Sequence, residues 1–108
     1  MRRATKAKIV LVTSGSRQEA RKVARAVVGA RLAACVNMVS SPVESVYRWK
    51  GKVEKAKEFL LVIKTTEGRL DALQKEIKRL HSYDVPEFLV LNVVGGSTAY
   101  LDWLRGSV

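Results

Sequence analysis

The sequence is poor in the residues that build disulfides and soft metal sites. Its 108 residues contain one cysteine, Cys35, and one histidine, His81. A single cysteine excludes an intrachain disulfide, and a closed copper or zinc site normally needs three or four nitrogen or sulfur ligands. One chain alone therefore cannot build such a site from these two side chains.

Targeting segments and catalytic motifs are also missing. No charged leader followed by an apolar stretch opens the sequence, and no apolar run approaches the roughly 20 residues that span a bilayer. We therefore expect a cytoplasmic protein without membrane contact. There is no Ser-His-Asp order, no phosphate loop of the GxxxxGK type and no dinucleotide-binding glycine fingerprint, so an enzyme is not indicated.

Acidic residues are the minority among the charged ones. Lysine and arginine number 20 against 10 aspartates and glutamates, which gives a formal net charge of +10. This excess attracts polyanions or anionic small molecules, and the alternative is a solvated basic surface. Because the aromatic residues do not alternate with the basic ones as stacking platforms do, nucleic acid is an unfavoured partner.

The apolar pattern predicts one α+β domain over residues 1–108. Residues 1–6 read as a frayed basic tail. Ser16 and Glu19 have the spacing of a capping box at the start of the first helix. The predicted elements are a strand over 9–13, a helix that ends near Gly29, a strand over 32–39, a long hairpin over 45–66 that turns at Lys50 and Gly51, a helix from Thr66 to Leu80, a strand over 88–94 and a short helix over 98–105.

This order is the split βαβ, or ferredoxin-like, βαββαβ pattern with a short C-terminal helix. Right-handed crossovers place both long helices on one face of the sheet and leave the other face bare. The return arm of the hairpin, apolar at every position over 59–63, is typical of a covered central strand. Because a bare sheet face would expose a large apolar patch, we expect the chain to associate with copies of itself.

Five segments in order resemble the CutA family of divalent-cation tolerance proteins. They are ARLAACVN at 30–37, SVYRWKGKVE at 45–54, LVIKTT at 61–66, HSYDVPE at 81–87 and YLDWL at 100–104. The resemblance implies a ferredoxin-like subunit, a compact homotrimer and a cytoplasmic role in heavy-metal tolerance. It also implies similarity to PII-like trimeric signalling proteins.

The resemblance also suggests where a metal ion would bind. Some members of the family bind copper through a cysteine that ends the first strand and two histidines that open the HSYDVPE loop. This chain has Val12, Leu80 and His81 at those positions, and Ser82 where the loop often has proline. His81 is thus the candidate ligand for copper or another divalent metal at an inter-subunit site, either as three copies around a threefold axis or together with Glu87 and Asp84. The alternative is a hydrogen-bonded loop histidine, and Cys35 is interpreted as a packing residue.

A ligand cleft is the second candidate site. The family match singles out five residues for it: Tyr47, Trp49, Lys64, Tyr83 and Glu87. Lys64 lies on an otherwise apolar strand, so its ammonium should meet a carboxylate such as Glu87 or an anionic ligand. The alternative function is therefore a PII-like signalling module that binds a small anionic metabolite, with a structural ion pair and aromatic core packing as the simpler explanation. A nucleic-acid-associated basic trimer is the third hypothesis.

Overall fold

The structure, a computed structural model, describes residues 1–3 and 6–108. Its helices and strands confirm the predicted mixed α+β class. They are β1 (Arg2–Arg3), β2 (Ala7–Ser14), α1 (Arg17–Gly29), β3 (Cys35–Met38), β4 (Val43–Trp49), β5 (Lys52–Thr66), α2 (Leu70–Leu80), β6 (Leu89–Asn92), β7 (Gly95–Gly96) and α3 (Thr98–Gly106). A single 3₁₀ turn, Glu67–Arg69, leads into α2, so the second helix begins later than predicted.

The main sheet has the strand order β3-β5-β2-β6, and every neighbouring pair is antiparallel. This order and the two helical connections are those of the split βαβ arrangement. One face of the sheet carries fully buried side chains, since Val10, Val12, Leu61 and Ile63 each have 0 % exposure. The apolar stripes of both helices complete this core with Ala20, Val23, Val27, Leu73 and Ile77.

The opposite face of the sheet is covered only in part. Side chains alternate between faces along a strand, so Leu60, Val62 and Lys64 lie opposite the helix-covered side, and all three are half-buried. Helix α3 packs against one end of β2 and β5. The edge strand β6 leaves Leu89 and Leu91 56 % and 46 % exposed. The central strand is therefore fully covered by its own chain on one face only.

The long hairpin projects beyond the main sheet. Strand β4 pairs with β5 from Val43 opposite Glu58 to Trp49 opposite Lys52, whereas β2 meets β5 only from Phe59 onward. Lys50 and Gly51 connect the strands with φ angles of 50° and 78°. Positive φ at both central positions defines a type I′ turn, whose twist matches that of a hairpin. The predicted turn at these two residues is confirmed.

Two predicted strands are shorter in the structure. The strand predicted over 32–39 begins only at Cys35, because the preceding residues close the end of α1. Arg31 adopts a left-handed conformation with a φ of 59°, and the N–H groups of Leu32 and Ala33 both donate to the carbonyl of Val27. The strand predicted over 88–94 is limited to Leu89–Asn92 at the sheet edge.

The beginning of the chain is paired where we predicted a frayed tail. Strand β1 pairs with β7, which is formed by Gly95 and Gly96. A Cβ atom on Gly95 would lie 2.9 Å from the carbonyl oxygen of Arg2, so only glycine allows the two backbones to approach this closely. Residues 4 and 5 of the predicted tail lie outside the described residues.

Candidate functional site

A cleft of about 630 Å³ lies between β4 of the hairpin and the loop that follows α2. The residues on its walls come from the end of β2, the two hairpin strands and the loop over 83–87. Tyr47, Trp49, Tyr83 and Glu87 all lie on these walls, so four of the five residues that the sequence singled out for a ligand cleft are brought together. The other wall residues are Thr13, Ser45, Val46, Glu58, Asp84, Val85 and Pro86.

A partly buried hydrogen bond joins the loop to the hairpin inside the cleft. The hydroxyl of Tyr83 donates to Oε2 of Glu58 across 2.9 Å. Glu58 is only 7 % exposed, although it lies on the highly charged part of the hairpin. Burial, together with the hydrogen bond to Glu58 and the negative charge of Glu58, raises the pKa of Tyr83 to about 12. Tyr83 is therefore a neutral hydrogen-bond donor over the whole physiological pH range.

The cleft has an acidic character in a strongly basic chain. Glu58, Asp84 and Glu87 contribute carboxyl groups, and the described lining includes no lysine, arginine or histidine. Partial burial raises the pKa of Glu87 above its usual value, and the negative charge of Glu58 raises it further. The ionised form of Glu87 is thus disfavoured by its surroundings, which a bound cation would reverse.

Two aromatic side chains of β4 flank these carboxyl groups. Tyr47 and Trp49 are two residues apart and therefore face the same side of the strand. They remain 44 % and 46 % exposed, so their rings are accessible to a ligand or to another chain. The face combines aromatic surface with carboxylates, which suits a cation or a neutral polar molecule better than an anion.

His81 holds the start of the loop instead of opening onto the cleft. Its Nε2 lies 2.6 Å from the carbonyl oxygen of Thr13, and since that oxygen only accepts, Nε2 carries the proton. Its Nδ1 accepts the backbone N–H of Tyr83 across 3.1 Å, and the two rings lie 4.7 Å apart. Both ring nitrogens are engaged, and the side chain is completely buried.

Glu19 ties the same loop to the first helix. Ser16 caps α1 as predicted by accepting the N–H of Glu19, but the side chain of Glu19 does not return to Ser16. It accepts hydrogen bonds from Ser14 Oγ at 2.6 Å and from the backbone N–H of Ser82 at 2.8 Å. Burial raises the pKa of Glu19, but these hydrogen bonds and the proximity of His81 outweigh it and lower the pKa below its usual value. The capping-box prediction is thus half right.

Lys64 lies outside the cleft, and the expectation that it pairs with Glu87 is wrong. Its ammonium group contacts Oδ1 of Asn37 and lies 3.8 Å from Sγ of Cys35, on the face of the sheet away from the two long helices. Six residues of extended strand separate it from Glu58, a distance of about 20 Å. Its cross-strand neighbours satisfy Lys64 without a carboxylate.

The donor set for a metal ion is limited within one chain. Among residues 1–3 and 6–108, no three His, Cys, Asp or Glu side chains lie close enough together to hold a metal ion. Val12, which takes the position of a copper ligand in some family members, is fully buried in the core, and Leu80 packs against this core. The cleft lining offers the carboxyl groups of Glu58 and Glu87 as oxygen donors, and they would need water or a second chain to complete a coordination shell.

Sequence reasoning missed Glu58 and the hydrogen bond by which Glu19 supports the loop. Glu58 could have been found from its phase, because it lies opposite Val43 in the register that also places Ser45 and Tyr47 on the cleft side. Its burial has no such signal, since the loop that covers it comes from about 25 residues further along the chain.

Comparison with known proteins defines the class to which this fold and cleft belong. The family model of the CutA1 divalent ion tolerance protein matches residues 8–107. The chain therefore belongs to the CutA family, as its segments at 30–37 and 81–87 suggested.

Relatives and solved structures agree with this assignment. The divalent-cation tolerance protein CutA of Thermus thermophilus is 46% identical over 97 residues, which cover 90% of this chain and 93% of that protein. Protein CutA 1, chloroplastic, of rice is 46% identical over 99 residues, and protein CutA, chloroplastic, of Arabidopsis thaliana is equally similar. The chain spans only about half the length of these plant relatives, with 55% and 54% of each covered.

Solved structures of CutA proteins have the same fold as this chain. The solved structure of the divalent cation tolerance protein Cut A1 from Thermus thermophilus superimposes with a TM-score of 0.91 at 44% identity, covering 94% of this chain and 97% of that one. The structure of CutA from Synechococcus elongatus complexed with a Bis-Tris molecule gives a TM-score of 0.89 at 40% identity, covering 98% and 97%. In the part of the chain that the structure describes, no helix is long and apolar enough to cross a membrane.

Proposed function

We propose that this protein binds divalent cations in its acidic cleft and serves divalent-cation tolerance through that binding. The observation that carries the proposal is the presence of two shielded carboxyl groups, Glu58 and Glu87, in one accessible cleft. The raised pKa of Glu87 reflects burial and the charge of Glu58. A cation bound between the two carboxylates would therefore offset both the desolvation of Glu87 and its repulsion by Glu58. The names of the family and of its relatives support the choice of a divalent cation.

The chemistry of the cleft favours a hard cation. Carboxylate and water oxygens suit Mg²⁺ and Mn²⁺, which often bind through one or two carboxylates and keep several waters. Copper at His81, which the family resemblance implies, has less support. Copper would have to displace the hydrogen bond with Thr13 or the one with Tyr83, each of which fixes the loop.

We propose the homotrimer as the working form. The half-buried open face of the sheet and the exposed apolar side chains of β6 support an assembly in which other copies cover them. Light scattering should then give a mass of about 36 kDa, three times the 12.0 kDa of one chain. A mass of 12.0 kDa at micromolar concentration would contradict the trimer and any site shared between subunits.

We propose a binding role without catalysis, in the cytoplasm. Tyr83 has a pKa of about 12, so it serves poorly as an acid or base near neutral pH, which supports binding over proton transfer. The cytoplasmic setting stays a prediction from the sequence. The plant relatives are described as chloroplastic and the Archaeoglobus fulgidus structure as periplasmic.

Titration calorimetry with Mn²⁺ tests the cation proposal. Replacing Glu87 by Gln removes one proposed ligand, and we expect the affinity to fall by about tenfold or more. Glu44→Gln is the matched control, because Glu44 is exposed on the same hairpin but lies outside the cleft lining, and its removal changes the net charge equally. Affinity should also rise with pH, since protons compete for Glu87.

The same titration, repeated with Cu²⁺, separates the cleft site from the His81 site. Unchanged Mn²⁺ affinity in Glu87→Gln, or an equal loss in Glu44→Gln, would contradict the cleft site. If Cu²⁺ binding disappears in His81→Gln but persists in Glu87→Gln, the metal site belongs to His81 and the cleft proposal is wrong.

A small-molecule regulatory role is the second candidate, favoured by the aromatic walls of Tyr47 and Trp49. Among the residues that the structure describes, none with a cationic side chain lines the cleft, so the anionic metabolite of a PII-like module would find no partner there. The Synechococcus elongatus relative in complex with Bis-Tris, a polyhydroxylated amine, supports a cationic or neutral ligand instead. Bis-Tris should raise the melting temperature and succinate should not, because only a ligand of the native state stabilises it.

A further inference from the structure

A second pocket, of about 260 Å³, lies at the opposite end of the sheet from the acidic cleft. It is bounded by β1, the start of β2, the end of β5 and helix α3. Ala7 of β2 lines this pocket and Thr13 of β2 lines the cleft, so the two are separated by about 20 Å of extended strand. The two sites therefore share no wall residue.

The charges of this pocket are the reverse of those in the cleft. Four basic side chains line it: Arg2, Arg3, Lys6 and Arg105. The described lining contains no carboxylate, and the apolar part of the wall is formed by Ala7, Leu101 and Leu104. Apolar walls reduce the screening by water, so a charge held against them interacts more strongly with these cations.

Two neighbouring carboxylates neutralise only half of this charge. Asp102 bridges Arg2 at 2.8 Å and Arg105 at 3.3 Å, and Glu67 lies 3.4 Å from Lys6. The guanidinium group of Arg3 has no hydrogen-bond or ion-pair partner among the described residues. Four cations against two carboxylates leave two positive charges in excess, and the bridge through Asp102 holds two of the guanidinium groups on one side of the pocket.

We propose that this basic pocket binds a small anion that carries phosphate groups. Planar guanidinium groups donate two parallel hydrogen bonds to phosphate oxygens, and three arginines line this pocket. The volume is below the roughly 300 Å³ at which pockets begin to hold drug-sized ligands, which suits pyrophosphate or a small phosphate ester. This site is independent of the cation proposal for the cleft.

Calorimetric titration of the full chain with pyrophosphate, after removal of divalent ions, tests the pocket. In about 150 mM KCl, where interactions between distant surface charges are screened, we expect saturable binding of one pyrophosphate per chain. Arg105→Gln should weaken it by about tenfold or more, since one guanidinium fork is lost. Arg25→Gln, which removes the same charge from the exposed side of α1 outside the pocket lining, should stay within about twofold.

Several outcomes would overturn the proposal. The first is the absence of saturable binding. The second is a loss of pyrophosphate affinity in Arg25→Gln as large as in Arg105→Gln, because an equal loss would indicate general attraction to a basic protein. Arg3→Gln gives a second measurement that does not disturb the Asp102 bridge, and binding that is unaffected by both Arg3→Gln and Arg105→Gln would also refute the site. Glycerol phosphate and citrate distinguish phosphate esters and carboxylates from free pyrophosphate, and a preference for citrate would refute the phosphate assignment.

Discussion

Replacing Tyr83 by Phe removes one hydroxyl and leaves Glu58 without its donor. The bond is 2.9 Å long and involves a carboxyl group that is 7 % exposed. Loss of a hydrogen bond to a charged group costs about 1.5–3 kcal/mol. Because Tyr83 itself is 37% exposed, water can replace part of the bond, and we expect a loss of about 1.5 kcal/mol in the free energy of unfolding.

Urea denaturation at neutral pH and fixed protein concentration measures this loss. Tyr100→Phe is the matched control, because Tyr100 is similarly exposed and its hydroxyl has no hydrogen-bond partner among the described residues. The denaturation slope should stay unchanged, so that the shift of the midpoint reports stability alone. If Tyr83→Phe costs no more than Tyr100→Phe, the hydroxyl does not hold the loop to the hairpin, and the described cleft wall is incorrect.

Three further predictions concern the same framework. Gly15→Ala would place a Cβ atom 2.9 Å from the hydroxyl of Tyr83 and push that hydroxyl away from Glu58. Ultraviolet titration should therefore show the pKa of Tyr83 falling from about 12 toward 10, and an unchanged titration would contradict this. Because the pKa of Glu19 is lowered in the folded protein, its ionised carboxylate stabilises the fold above about pH 4.5, and this stabilisation disappears as the pH falls further. Glu19→Gln should therefore make stability depend less on pH in the acid range, and an unaltered dependence would refute the prediction. Leu61→Ala should cost about 2–5 kcal/mol in urea denaturation, since Leu61 is fully buried; a cost below about 1 kcal/mol would mean the core is misassigned.

Periodicity in the sequence was enough to predict the helix-covered side of the molecule. The apolar residues of α1 and α2 recur at helical spacing, and the residues in phase on the strands form the core. The hairpin turn was equally visible, because Gly51 is at a position where its φ of 78° is unstrained. These features depend on residues that are near one another along the chain.

The positions of the charged groups could not be predicted in this way. Lys64 finds its partner on β3, whose register depends on the sharp exit from α1 at Arg31. Glu58 is buried by a loop that the buried contacts of His81 and Glu19 hold in place. Both outcomes follow from contacts between distant segments, for which local spacing carries no information. For the same reason, the apolar residues of β6 predicted a strand but not its place at the sheet edge.

One continuous strand, β5, carries Glu58 in the cleft and Leu61 and Ile63 in the core. Because strand side chains alternate strictly, inserting or deleting a single residue between these positions would turn either the acidic group or the core residues to the wrong side. Length changes during evolution or engineering should therefore be tolerated at Lys50 and Gly51, where the hairpin can grow without altering that phase, and a peptide epitope for detection belongs there.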